Sequence, residues 1–123
     1  MILDTTFLID LLRNEQAAVT LSKTIEQKEI LKISTVTVFE IHQGLRESSQ
    51  NVEALFDDLI LLSFDKKTAI KAGEIVRHLR KEGIIIDPED AMIGATALLQ
   101  HEPLVTRNTK HFSKIPELKI VKY

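Results

Sequence analysis

Short apolar runs rich in β-forming residues alternate along this chain with longer stretches of helical periodicity. Such alternation is typical of βαβ units, in which parallel strands form a central sheet and helices cover both of its faces. It therefore predicts an α/β fold with a mostly parallel sheet. The last run could join as an edge strand of either direction. The runs predicted to be strands are residues 1–3, 30–34, 59–64, 104–106 and 119–121.

Two of the intervening helices are marked by the residues at their ends. Asp65 can cap a helix that Gly83 would terminate. Pro88 suits the first position of a later helix, and the acid before it suits the cap. This later helix is apolar on nearly every side, which predicts burial in the middle of the fold. Its small residues Gly94 and Ala95 would let it approach the sheet closely.

The composition is that of an ordinary globular protein, and residues 1–123 are expected to form one domain. Hydrophobic residues make up 44% and charged residues 28% of the chain. Because there is no cysteine, disulfides, thiolate metal sites and thiol nucleophiles are excluded. No apolar run approaches the ~20 residues of a membrane span, and no secretory signal is evident, so a cytoplasmic location is expected. The net charge of −2 means that any nucleic acid must be held by a local patch.

Three acids occur just beyond strand-like runs. Asp4 follows the first run, Glu40 lies in the first turns of a helix that opens at Thr35 or Thr37, and Asp90 lies in the first turn of the apolar helix. In an open parallel sheet, ligands bind beyond the carboxyl ends of the strands, so these acids are expected to converge there. Carboxylates about 5 Å apart would repel by roughly 3 kcal/mol per pair at an effective dielectric of about 20. A cation or protonation must relieve this repulsion, and a divalent metal site is the simplest interpretation.

Each acid also has a structural alternative. Asp4 could cap the helix that follows it. Thr37 and Glu40 fit a capping box, in which the glutamate bonds back to the amide of the cap residue. Asp87 and Asp90 could occupy the cap and N3 positions of their helix in the same way. These alternatives explain the acids one at a time, but they do not explain the shared location.

The fourth strand-like run also ends in polar residues. Thr106 and Asn108 could supply oxygen ligands or hold a water, although a plain turn is the simpler interpretation. Arg107 and Lys110 are reasonable phosphate contacts if nucleic acid binds. The four histidines show no metal-ligand spacing. Asp10 is expected to face solvent or to orient a neighbour.

The ligand type indicates the chemistry. All-oxygen sites favour hard cations such as Mg²⁺ or Mn²⁺. Such an ion activates a bound water as a nucleophile and neutralises phosphoryl oxygens. No serine or cysteine nucleophile is arranged with a base, so metal-assisted hydrolysis of a phosphodiester is the predicted reaction.

Four short motifs occur in order along the chain: DTTFLID at residues 4–10, TVFEIHQG at 37–44, DAMIGATA at 90–97 and TRNTKHF at 106–112. Together they resemble the PIN-domain nucleases, and most closely the VapC toxins of VapBC toxin–antitoxin pairs. The resemblance covers essentially the whole chain.

The resemblance implies a three-layer α/β/α sandwich with Mg²⁺- or Mn²⁺-dependent endoribonuclease activity. It also implies a homodimer inhibited by a small cognate antitoxin whose tail blocks the acidic pocket. By matching motif, the candidate catalytic residues are Asp4, Glu40, Asp90 and Asn108, the first three as metal ligands, and the candidate substrate-binding residues are Thr6, Thr106 and Arg107.

The chain departs from the family pattern at one point. Many relatives carry an acid where Asn108 or His111 stands, and this sequence has neither. Three carboxylates can still hold one metal, with Asn108 as a neutral ligand or water holder. His111 could act on a substrate phosphate or pack near Phe112, and packing is the expectation.

Two other functions are also compatible with parts of this sequence. The missing acid motivates a catalytically weak or inactive PIN-fold module that mainly binds an antitoxin-like partner. A response-regulator receiver domain has a similar length and α/β plan. A receiver, however, needs an acidic pair after its first strand, whereas Asp4 is followed by two threonines.

Overall fold

Five short strands form one sheet in the computed structural model, which describes residues 1–123. The sheet order is β3-β2-β1-β4-β5, and all four neighbouring pairs are parallel. The predicted parallel sheet is confirmed, and the last run joins it as a parallel edge strand. The strands are β1 (Ile2–Leu3), β2 (Lys32–Ser34), β3 (Ile60–Leu62), β4 (Leu104–Val105) and β5 (Ile120–Val121).

Seven helices connect the strands. The capping predictions hold for the fifth helix, where Asp65 Oδ1 accepts a hydrogen bond of 2.9 Å from the Thr68 amide. Gly83 follows this helix with a φ of +75°, a left-handed conformation that favours glycine. The helices are α1 (Thr5–Leu12), α2 (Gln16–Ile25), α3 (Thr35–Gly44), α4 (Gln50–Asp57), α5 (Lys66–Lys81), α6 (Pro88–Gln100) and α7 (Thr109–Phe112).

The helices cover both faces of the sheet and create two separate cores. Successive strand residues point to opposite faces, so Ile2 and Leu104 join the core formed with α5 and α6. Leu3 and Val105 join the other core, formed with α1, α2 and α4. The α/β/α sandwich implied by the family resemblance is therefore the architecture of this chain.

The apolar helix α6 is buried as predicted, but the partner of its glycine differs from the prediction. A Cβ atom on Gly94 would lie 2.5 Å from Ile115 Cδ1 and 3.8 Å from Leu118 Cδ2. Both residues belong to the segment between α7 and β5. Gly94 therefore lets this segment, rather than the sheet, pack tightly on α6.

The strand order reverses at β1, and this reversal positions the site. The chain runs from β1 outward through β2 to β3, then crosses to β4 and β5 on the other side. The connections leave a crevice at the carboxyl ends of β1 and β4, where ligands bind in open α/β sheets. Asp4 follows β1 and Thr106 follows β4 at this crevice.

No helix of the molecule combines the length and the apolar character needed to span a membrane.

Candidate active site

Asp4 is buried at the crevice, with only 2% of its surface exposed. Its Oδ2 accepts two hydrogen bonds of 2.7 Å, one from the Thr6 hydroxyl and one from the Thr106 hydroxyl. The residue occupies the cap position of α1, but its side chain makes no cap hydrogen bond. The capping alternative therefore does not account for this carboxylate.

The ionised form of Asp4 is unfavourable in the protein alone. Burial raises the pKa of Asp4, although hydrogen bonds from Thr106 and Thr6 partly offset the effect. Its Oδ1 accepts no side-chain hydrogen bond, and no fully buried side-chain oxygen in the molecule lacks a partner. Backbone hydrogen bonds from Thr5 and Thr6 also lower the pKa of this carboxyl.

Glu40 reaches the same crevice from α3. This helix begins at Thr35, with Ser34 as the cap residue accepting a bond of 3.0 Å from the Val36 amide. The capping-box alternative is therefore wrong, because Glu40 lies well inside the helix. Its Oε1 instead accepts a hydrogen bond of 2.7 Å from the Thr5 hydroxyl. Burial raises the pKa of Glu40, and repulsion from the other two acids raises it further.

Asp90 is the third residue of α6, and its side chain is 16% exposed. Burial raises the pKa of Asp90, and the charge of Asp4 raises it further. A contact of 3.3 Å between Asp90 Oδ2 and His111 Nδ1 acts in the opposite direction.

The three predicted acids thus lie near one another at one edge of the sheet, since the charge of Asp4 raises the pKa of both Glu40 and Asp90. No lysine or arginine forms a salt bridge with any of them. Their ligand atoms do not, however, all lie within 4.8 Å of one another. The arrangement is an acidic crevice without a lysine or arginine counter-charge, in which His111 contacts Asp90 alone.

The first residue after β4 supports Asp4 and is closed to solvent. Thr106 is fully buried, and its hydroxyl lies between Asp4 Oδ2 and the Asn108 amide, which donates to it at 2.9 Å. In this structure the Thr106 hydroxyl is enclosed and bonded on both sides, so it supports Asp4, and the substrate contact expected of it stays a prediction. Asn108 is half-buried, and its side chain makes no cap bond to α7. Arg107 is exposed, with its Nη1 3.4 Å from Asp10 Oδ1.

Asp10 has a role that the sequence left open. It is 3% exposed and accepts a hydrogen bond of 2.7 Å from the Tyr123 hydroxyl, so the expectation that it faces solvent is wrong. Burial and the bond to Asp10 raise the pKa of Tyr123. The Tyr123 ring packs edge-on against Phe7 with a centroid distance of 4.9 Å. Asp10 therefore orients two neighbours, Tyr123 and Arg107.

Beside the crevice lies a second cluster of possible metal ligands that the sequence did not predict. His111 does not pack into the core, since half of its side chain is exposed and its ring contacts Asp90. Asp87 occupies the cap position of α6 without making a cap bond. One ligand atom from each of Asp87, Asp90 and His111 lies within 4.8 Å of the others. The expectation that His111 packs near Phe112 is therefore wrong, whereas Asp87 is the surface acid at the cap position that the sequence predicted.

The fold and the crevice together define a parallel α/β protein with an acidic site suited to a divalent cation. The PIN domain family model matches residues 1–118. The chain is 34% identical over 119 residues to Ribonuclease VapC19 of Mycobacterium tuberculosis, with 95% of both chains covered. This chain belongs to the PIN-domain family and, within it, to the VapC proteins.

Solved structures agree with this assignment. VapBC2 from Rickettsia felis, crystallised with a promoter DNA fragment, matches with a TM-score of 0.88 and 22% identity, covering 99% of this chain and 97% of that one. A toxin–antitoxin complex from Klebsiella pneumoniae matches with a TM-score of 0.78 and 26% identity, covering 98% and 94%. The receiver-domain alternative is therefore wrong. PIN nucleases depend on metal ions, and the acidic cluster of this chain is compatible with that requirement.

Proposed function

We propose that this protein is a metal-dependent endoribonuclease and the toxin of a VapBC toxin–antitoxin pair. Residues 1–123 act as a single PIN nuclease domain. The observation that carries the proposal is the set of desolvated carboxylates, without a lysine or arginine counter-charge, at the point where the strand order reverses. The similarity to a protein named as a ribonuclease supports RNA as the substrate.

Asp4, Glu40 and Asp90 are the proposed ligands of Mg²⁺ or Mn²⁺. Their carboxylate oxygens are the donors that hard cations prefer. Burial raises the pKa of all three acids, and a bound cation would offset this by favouring their charged forms. Asn108 stands nearby as a neutral oxygen donor or water holder. A bound ion would supply an activated water and neutralise charge on the phosphoryl oxygens.

Three threonines orient the carboxylates for this role. The hydroxyls of Thr6 and Thr106 both donate to Oδ2 of Asp4 and so fix the orientation of its carboxylate. Thr5 holds one oxygen of Glu40 in the same way. Because these donors fix the side chains before any ion arrives, little conformational freedom is lost when an ion binds.

Arg107 is the proposed phosphate contact for RNA. Its side chain is 49% exposed, and Asp10 contacts only one nitrogen of the guanidinium. The remaining N–H groups can donate to a phosphate, which arginine binds through two parallel hydrogen bonds. Thr6 lies beside the same opening and is half-buried.

The proposed partners are a small cognate antitoxin and a second copy of this chain. The related Klebsiella structure is described as a toxin–antitoxin complex, which supports an antitoxin. An acidic crevice without basic partners would attract a basic residue from an antitoxin tail, and such a tail would exclude RNA. We place the protein in the cytoplasm as a homodimer.

A second candidate is a weakly active or inactive module that mainly binds the antitoxin. The observation in its favour is that Asn108 and His111 occupy the positions where many relatives have a further acid. In that case the crevice would bind the partner without cleaving RNA.

The test is cleavage of a panel of structured RNAs by antitoxin-free protein, with and without Mn²⁺. Cleavage should require the ion, stop in EDTA and fall by about a hundredfold or more in Asp4→Asn, since a metal supplies several kcal/mol of transition-state stabilisation. Asp57→Asn, an exposed acid at the end of α4, is the matched control and should cleave like the wild type. Intact RNA in both Mg²⁺ and Mn²⁺ would overturn the nuclease proposal in favour of the binding module.

A further inference from the structure

The cluster of Asp87, Asp90 and His111 differs in chemistry from the all-oxygen crevice beside it. It contains an imidazole nitrogen in addition to carboxylate oxygens, and one atom from each residue lies within 4.8 Å of the other two. The three carboxylates of the main crevice do not reach this proximity. The most compact group of possible metal ligands in the protein is therefore not the predicted one.

The spacing of this cluster suits a bound transition-metal ion. Ligand atoms at about 2.0–2.2 Å from one ion lie roughly 3–4 Å from one another in tetrahedral or octahedral geometry. The Asp90 Oδ2 to His111 Nδ1 distance is 3.3 Å. This pair can therefore hold an ion without rearrangement of the backbone.

The three side chains are also free to act as ligands. Asp87 makes no hydrogen bond as the cap of α6, and its carboxylate is exposed. His111 is half exposed, and its only polar contact is with Asp90. A cavity of about 120 Å³ is lined by these residues together with Ile85, Ile86 and Lys114. Since a water occupies about 30 Å³ in the liquid, an ion fits there with several of its waters.

We propose that Asp87, Asp90 and His111 form a second cation position that prefers first-row transition ions such as Mn²⁺, Co²⁺ or Zn²⁺ to Mg²⁺. Imidazole nitrogen suits these ions, whereas Mg²⁺ is usually held by oxygen ligands and water. His111 would bind through Nδ1, which leaves its Nε2 protonated. The inference rests on the proposed function only in that Asp90 is shared with the proposed main site.

The test is metal titration of the RNA-free protein, with Co²⁺ as the spectroscopic probe. Co²⁺ bound through a histidine nitrogen changes its visible absorption, and calorimetry with Mg²⁺ and Co²⁺ gives the two affinities. His111→Gln should weaken Co²⁺ binding at this position about tenfold or more, because even losing a residue that only supports a ligand costs 10–100-fold. Mg²⁺ binding should change by less than about twofold.

His78→Gln is the matched control, because His78 is an exposed histidine on α5 that pairs with one acid, Glu82, and belongs to no group of three possible metal ligands. It should bind Co²⁺ like the wild type. Unchanged Co²⁺ affinity and absorption in His111→Gln would overturn the proposal and leave the Asp90–His111 contact as an ordinary ion pair.

A second pair of variants separates this inference from the nuclease proposal. His111→Asp should shift the preference toward Mg²⁺, because it replaces nitrogen with oxygen. Asp4→Asn should abolish cleavage yet keep the His111-dependent Co²⁺ absorption. If wild-type protein cleaves no RNA but still shows that absorption, the nuclease proposal fails and the cation position stands. If the protein cleaves RNA but shows no His111-dependent metal signal, the nuclease proposal stands and the second cation position is overturned.

Discussion

At the amino-terminal edge of the sheet, Glu102 lies between two cations, whereas at the carboxyl edge Asp4 has none. Glu102 accepts hydrogen bonds of 2.9 Å from the Met1 ammonium and 2.6 Å from Lys32 Nζ. Although burial opposes the effect, these two groups lower the pKa of Glu102. At the opposite edge, burial raises the pKa of Asp4, Glu40 and Asp90.

The difference separates structural charge from functional charge within one small fold. The acid at the amino edge is neutralised by the protein itself and stabilises the folded state. At the carboxyl edge, Asp4 and Glu40 are held in place by threonine hydroxyls, which orient a carboxylate without neutralising it. A site with this property needs a cation from outside, and it destabilises the protein until that cation binds.

The largest expected effect is on catalysis. Asp90→Asn and Glu102→Gln each remove one negative charge, from opposite edges of the sheet. We expect Asp90→Asn to lower the rate of metal-dependent RNA cleavage about a hundredfold or more, because it removes a proposed metal ligand. Glu102→Gln should stay within about twofold of the wild-type rate. Single-turnover cleavage at saturating Mn²⁺ measures both.

Circular dichroism spectra of the two variants serve as the folding control for this comparison. A comparable loss of cleavage in a folded Glu102→Gln protein would contradict the division of the sheet into a structural and a functional edge.

The second largest expected effect is a loss of stability when an acid at the amino-terminal edge of the sheet is replaced. Glu102→Gln should lower the free energy of unfolding by about 1–2 kcal/mol, because it weakens two charge-assisted hydrogen bonds at a partly exposed position. Urea unfolding at pH 7 measures the loss. Lys32→Gln alone and the double variant complete a double-mutant cycle, and a coupling energy near zero would show that the pair contributes nothing to stability.

The sequence predicted those parts of the fold that depend on local or repeating signals. Alternation of apolar runs with helical periods indicated the parallel sheet, and Asp65 and Gly83 marked the ends of α5 because a cap and a left-handed glycine act on their own neighbours. The start of α3 was ambiguous, since several adjacent residues can cap a helix. Ser34 is the one that bonds to the helix, and this choice turns Glu40 toward the crevice.

The site was predicted only as far as topology could be inferred. Asp4 follows β1 directly and Glu40 lies in the helix that follows β2, so their meeting at one edge of the sheet could be predicted from the topology. The expectation that Asp90 also follows a strand is wrong, because α6 follows α5, and Asp90 reaches this edge through the packing of α6. The bond from Tyr123 to Asp10 joins residues 113 positions apart, and no spacing rule connects them. His111 approaches Asp90 because α7 packs beside α6, which depends on the tertiary arrangement.

The smallest expected effect is a gain in stability at the carboxyl edge. In metal-free protein at neutral pH, Asp4→Asn should raise the free energy of unfolding, by less than the loss expected for Glu102→Gln, because the neutral amide removes the cost of burying a charge. The asparagine oxygen has two lone pairs and can keep both bonds from Thr6 and Thr106, so little else is lost. Urea unfolding in EDTA measures the gain.

The raised pKa of Asp4 also predicts how the stability of the folded protein changes with pH. Because the folded pKa of Asp4 lies above its ordinary value of 3.8, the folded state binds more protons than the unfolded state above that pH. Wild-type stability should therefore fall as pH rises from about 4 through the raised pKa, and Asp4→Asn should flatten this fall. Mn²⁺ should stabilise the wild type more than the variant, and Asp57→Asn should behave like the wild type throughout. If Asp4→Asn destabilises the metal-free protein at pH 7 with both threonine bonds intact, the carboxylate is stabilised in the fold and the contrast between the two edges is wrong.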